Sequence, residues 1–131
     1  MPTISKSDKP QLKPDHYELL VLSVMAEGQT YGYAISKAVT LRSEGLFSIG
    51  PSQLYPLLKK LEKQGLVTAS WEEVKAEGTE PEASGRRRKW YVLSPKGRKR
   101  LTQRIEAHRR FTAIIESFIN VPGLSQDGEA A

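Results

Sequence analysis

Gly50 to Trp71 reads GPSQLYPLLKKLEKQGLVTASW, and this stretch decides the fold. Counting from Pro51 as the first helical position, Leu54, Leu57, Leu58 and Leu61 recur at i, i+3, i+4, i+7 and share one face. The opposite face carries Ser52, Pro56, Lys59 and Lys63, flanked by Tyr55 and Lys60. Pro56 removes one backbone hydrogen bond and should bend the helix or weaken its first turn. Gly65 is suited to the left-handed residue that closes a helix, and a β-type run follows it directly. A helix with hydroxyls and lysines outside, leading into a strand, is the pattern of a recognition helix in a winged helix-turn-helix.

Upstream, Leu46-Phe47-Ser48-Ile49 reads as an extended connector. Tyr31 to Ser43 reads as a second helix, with Ile35, Ala38, Val39 and Leu41 inward and Glu44-Gly45 at its end. The run HYELLVLSVMAEG after Asp15 is apolar nearly all round and should be a buried first helix. Asp15 is its expected N-cap, Glu18 the partner in a capping box, and Gly28 follows its end. Downstream, Leu66 to Glu73 and Lys89 to Leu93 read as a strand pair joined by an acidic tip with Glu77, Glu80 and Glu82. Ser94-Pro95 is an N-cap followed by proline at the first helical position, opening a helix that runs to Asn120. The expected fold class is α+β, mainly α: a winged helix-turn-helix over residues 15–94 and a long C-terminal dimerisation helix over residues 95–120. Residues 1–14 and 121–131 are expected to be a flexible arm and tail.

With 38% hydrophobic and 27% charged residues, the composition is that of an ordinary globular domain. No apolar run reaches the ~18 residues a membrane span needs. MPTISKSDKPQLKP lacks a signal-peptide core, so the expected location is cytoplasmic, with no membrane partner. Zero cysteines exclude disulfides, thiolate metal sites and a cysteine nucleophile. His16 and His108 fall on different helices without a spaced carboxylate cluster, and no phosphate-cradling glycine loop occurs. The pattern therefore points away from an enzyme and calls for no cofactor and no metal.

Charge is segregated. Residues 86–110 hold eleven Lys/Arg against one acid, Glu106, although the whole chain carries only +5. Such a block is the footprint of a polyanion binder. Arg86, Arg87, Arg88 and Lys89 enter the second strand at the hairpin base, placed to meet phosphates or a minor groove. The plainer alternative is a solvated strand end. Ser52, Gln53, Tyr55, Lys59 and Lys63 are the candidate DNA-facing residues of the helix, and Tyr31 a candidate backbone contact. Tyr55 and Tyr31 read equally well as aromatics at the edge of the core. The acidic tip would repel phosphate, which confines contact to the wing base.

In the long helix Leu101, Ile105, His108, Thr112, Ile115 and Ile119 recur at 4-3-4-3-4 spacing, bordered by Phe111 and Phe118. That stripe outreaches a three-helix core, so its second half calls for a second copy of the chain. The alternative is a helix folded wholly back on its own domain.

YELLVLSVMAEGQTYGYAISKAV, GLFSIGPSQLYPLLKKLEKQGLV and SGRRRKWYVLSPKGRKRL together resemble the PadR family of bacterial transcriptional regulators. The likeness runs from Tyr17 to Ile119. Its most specific pieces are Gly32-Tyr33, Leu54-Tyr55-Pro56-Leu57-Leu58, Arg88-Lys89-Trp90-Tyr91 and Ser94-Pro95-Lys96-Gly97. The resemblance implies a dimeric winged-helix repressor with one C-terminal dimerisation helix, Ser52, Tyr55 and Lys59 on the DNA-reading helix, and the arginines in the wing. It also implies a possible small aromatic effector at the dimer interface. The tryptophan that the drug-binding branch carries on that helix is missing here, where Phe111 and Phe118 stand instead. The leading expectation is a homodimer on double-stranded DNA, reading an inverted repeat through two helices about 34 Å apart. The rival is a winged-helix module that binds proteins and regulates indirectly, which the acidic tip favours.

Overall fold

The structure is a computed structural model that describes residues 10–73 and 87–124. The chain divides into two units, residues 1–101 and 102–131. Among the described residues the elements are α1 (Pro14–Met25), β1 (Thr30–Tyr31), α2 (Gly32–Arg42), α3 (Pro51–Lys63), β2 (Val67–Glu73), β3 (Arg87–Leu93) and α4 (Pro95–Ile119). β2 and β3 are antiparallel, in register from Val67 opposite Leu93 to Glu73 opposite Arg87. β1 joins the other edge of β3, pairing Thr30 with Tyr91 and Tyr31 with Trp90, so β3 is the middle strand. The mainly helical winged fold read from the sequence is the one observed.

The core of the first unit comes from one stripe per element. Val21, Leu22 and Met25 of α1, Ile35 of α2, and Leu54, Leu58 and Leu61 of α3 are all at most 1% exposed. Full burial of one such side chain contributes about 2 kcal/mol. Leu41, expected inward, is 64% exposed. Ile35 and Val39, four residues apart, set the buried stripe of α2, and two further residues rotate Leu41 about 200° away from it. Leu57 is only half-buried.

The starts of α1, α2 and β3 differ from expectation, and the end of α2, the start of β2 and the end of α4 each shift by one residue. α1 begins at Pro14, because proline at the first helical position loses no hydrogen bond there. Lys13 thereby becomes the N-cap, and its backbone N–H donates to His16 Nδ1 at 3.1 Å in place of an Asp15–Glu18 box. Glu18 is instead buried, with its carboxylate 3.6 Å from the Arg100 guanidinium. Tyr31, read as helical, lies in β1, and α2 starts at Gly32. β3 begins at Arg87 rather than Lys89, which puts Arg87 and Arg88 within the strand.

The junction of α3, β2 and α4 fixes the site. Gly65 takes φ 77°, its N–H donates to the Glu62 carbonyl at 3.0 Å, and the Leu66 N–H donates to the Leu61 carbonyl at 2.9 Å. This paired closure satisfies the last carbonyls of α3. The Ser94 hydroxyl donates to the Gly65 carbonyl at 2.6 Å and accepts the Gly97 N–H at 3.0 Å, capping α4 as its sequence implies. The Lys96 ammonium reaches the Gln64 carbonyl at 3.0 Å, a cation at the negative end of α3. A Cβ on Gly97 would collide with the Leu66 carbonyl oxygen, so the close approach needs glycine. Upstream, the Ser36 hydroxyl donates to the Ile49 carbonyl at 2.6 Å and holds the connector into α3 against α2.

Candidate nucleic-acid interface

With its leucines inside, α3 turns the remaining residues outward. Ser52, Gln53, Lys59 and Lys63 are exposed, and Tyr55 is 49% exposed. The Gln53 amide donates to the Tyr17 hydroxyl at 3.4 Å, tying the start of α3 to α1. Tyr55 leans towards α2, where its ring lies against Gly32. Gly32-Tyr33 and Leu54-Tyr55-Pro56, two short motifs far apart in the chain, thus contribute the two halves of one contact.

The strand period sets the wing base. Tyr91 and Leu93 of β3 face the core, and the same face continues outward through Lys89 and Arg87, opposite Trp71 and Glu73. Arg88 and Trp90 occupy the other face, opposite Glu72 and Ser70. Each of the three cations rests on an internal partner. The Arg87 guanidinium carbon lies 4.6 Å from the Trp71 ring centroid, and that of Arg88 lies 4.1 Å from Tyr31 and 5.6 Å from Trp90. Tyr31 and Trp90 meet edge to face at 5.1 Å, and the Trp90 indole N–H donates to Glu72 at 2.9 Å. A ring holds a guanidinium without neutralising it, so both arginines keep their charge and lose freedom. Lys89 differs: its ammonium is 3.1 Å from the Glu62 carboxylate of α3, an ion pair joining wing to helix. Burial holds the Tyr91 phenol above its ordinary 10.0 against the opposing charge of Lys89.

These groups surround two adjoining clefts. One, of about 590 Å³, brings together Tyr31, Tyr55, Arg87, Arg88 and Lys89 with Gly32, Tyr33, Trp71 and Tyr91. The other, of about 710 Å³, adds Lys59, Lys63 and Glu62, and shares Tyr55, Lys89 and Tyr91 with the first. Ser52 and Gln53 line neither cleft. Arg86 and the acidic tip with Glu77, Glu80 and Glu82 lie outside the described residues. Sequence reasoning missed Trp71, Trp90 and Glu62 as partners of the cations, and Glu72 as the partner of the Trp90 indole. The hairpin register could have found Trp71 and Glu72, since closing Val67 on Leu93 places them opposite Lys89 and Arg88.

Of the residues proposed for dimerisation, Leu101 is buried within the first unit and Ile105 is half-buried. His108 and Thr112 are exposed, as are Phe111 at 65%, Ile115 at 43%, Phe118 at 76% and Ile119 at 59%. Ile114, absent from the heptad reading, is 52% exposed. Among the described residues no group of three or more His, Asp or Glu could hold a metal, and no helix is long and apolar enough to cross a membrane.

Residues 21–103 match the family described as transcriptional regulator PadR-like. A transcriptional regulator from Clostridium thermocellum is similar at 27% identity over 81% of this chain and 95% of its own, with a TM-score of 0.67. A PadR family regulator from Eggerthella lenta is similar at 25% identity over 80% of this chain and 82% of its own, with a TM-score of 0.64. Bacillus subtilis PadR in complex with operator DNA is similar at 26% identity over 66% of this chain and 45% of its own, with a TM-score of 0.54. The matched span takes in the buried stripes of all three packed helices, the whole described hairpin and the start of α4, and on that ground the chain belongs to the PadR-like family of transcriptional regulators.

Proposed function

We propose that this chain is a DNA-binding repressor that acts as a homodimer on an inverted-repeat operator. The observation that carries the reading is the cationic surface running from Lys59 and Lys63 on α3, past Tyr55, to Arg87 and Arg88 at the wing base. Lysines and ring-supported arginines meet phosphates, while Ser52, Gln53 and Tyr55 have the hydroxyl and amide groups that contact base edges. Similarity to a relative crystallised with operator DNA supports it. The exposed Phe111, Ile114, Ile115, Phe118 and Ile119 support pairing with a second copy, whose twofold axis an inverted repeat would match. A small aromatic effector and a cytoplasmic site of action complete the reading, on the family resemblance.

Titration of the full chain against its gene's own upstream duplex over a salt series is the test. Affinity should fall steeply as salt rises, and Lys59→Ala and Lys63→Ala should each reduce the salt slope by about one. Salt-insensitive binding, or no preference over a scrambled duplex, would overturn the proposal. Adding a small phenolic acid to the same titration tests the effector.

A further inference from the structure

We infer that Gly32 is a positioning residue for Tyr55 in DNA reading, because the side chain it lacks is the seat of the tyrosine ring. The inference rests on the DNA-binding function proposed above. Gly32 is buried at the start of α2, directly after Tyr31, which β3 pins through Trp90. It is not one of the glycines with positive φ, so its backbone makes no demand for glycine. The demand is for space: a Cβ there would fall against the Tyr55 hydroxyl, 2.8 Å from ring carbon Cζ and 3.0 Å from Cε1.

Three features make the ring, rather than either helix, the part that would yield. Leu54 and Leu58, on either side of Tyr55 along α3, are at most 1% exposed and hold that helix in the core. β1 ties the start of α2 to the sheet. Tyr55 itself is half exposed, and its atoms nearest Gly32 are the hydroxyl and the adjoining end of the ring. From this seat Tyr55 forms a wall common to both clefts, beside Lys89 and Tyr91. A ring displaced from it reshapes the surface between the lysines of α3 and the arginines of the wing without removing a charge. The effect should therefore fall on the choice of base sequence, not on the number of phosphates met.

The experiment uses the full chain and a duplex that it selects from a random-sequence pool, with Gly32→Ala, Tyr55→Ala and the double variant. Gly32→Ala should weaken binding to the selected duplex by about tenfold and narrow its preference over single-base variants, with the salt slope unchanged. In the Tyr55→Ala background the same substitution should change neither. Without DNA, Gly32→Ala should lower the melting temperature beside Tyr55 and not beside Ala at position 55, where the seat is vacant. If Gly32→Ala alone fails to fold and the double variant folds, the seat is confirmed by rescue. Equal losses in both backgrounds, or a changed salt slope, overturn this inference alone. A chain that selects no duplex overturns the proposed function and this inference with it.

Discussion

Helix α3 and the second half of α4 each carry an apolar stripe, and only one of them is covered. Leu54, Leu58 and Leu61 of α3 are at most 1% exposed, whereas Phe111 and Phe118 of α4 are 65% and 76% exposed. α3 packs against α2 and β2 within its own unit. Periodicity states which residues seek burial and is silent on what buries them. An uncovered stripe with a polar surround is the mark of a surface made for another molecule.

The largest effect that would break this contrast is on stability. Leu58→Ala should cost about 3 kcal/mol in urea unfolding, because it opens a cavity in a closed core. Phe118→Ala, measured dilute enough that the chain is single, should change the stability of the winged unit by no more than about 0.5 kcal/mol. Comparable losses at the two positions would show that the α4 stripe is also core. Next comes assembly: Ile115→Lys with Phe118→Lys should weaken self-association at least about a hundredfold, since burying two unpaired charges costs several kcal/mol. Sedimentation should then report half the native mass with the winged unit still folded, and an unchanged mass would remove the stripe from the interface. The smallest effect sharpens the boundary between the regions. Ser94→Ala should cost about 1 kcal/mol, because α4 is anchored at its cap even though its far half is open. Denaturant midpoints read that difference directly.

The parts legible in the sequence are those written in neighbouring residues. The leucine spacing of α3, the stop at Gly65 and the Ser94-Pro95 start each need only a turn of chain to specify them, and each appears as read except for Leu57, which is half-buried. What escaped depends on partners far away. β1 has two residues and no period of its own, and it exists because β3 offers Thr30 and Tyr31 a ladder. Arg87, Arg88 and Lys89 read as candidate phosphate contacts, but no neighbouring residue reveals that Tyr31 and Glu62 will stand beside Arg88 and Lys89. The Gly32–Tyr55 contact is of the same kind. Both residues belonged to motifs that marked the resemblance, yet only the fold shows that the small residue makes room for the large one.

The place of β3 in the middle of the sheet also orders events while the chain is being made. Thr30 and Tyr91, which pair, are about sixty residues apart in sequence, and synthesis delivers the N-terminal one first. All three helices and both edge strands therefore precede β3 in synthesis, and neither edge has its partner until β3 is made. Arg87 and Arg88 meet their rings on β2 and β1 only once β3 is paired with both edges. A chain ending before Trp90 would lack the middle of the sheet, so the wing base and its ring-supported arginines depend on the last strand made.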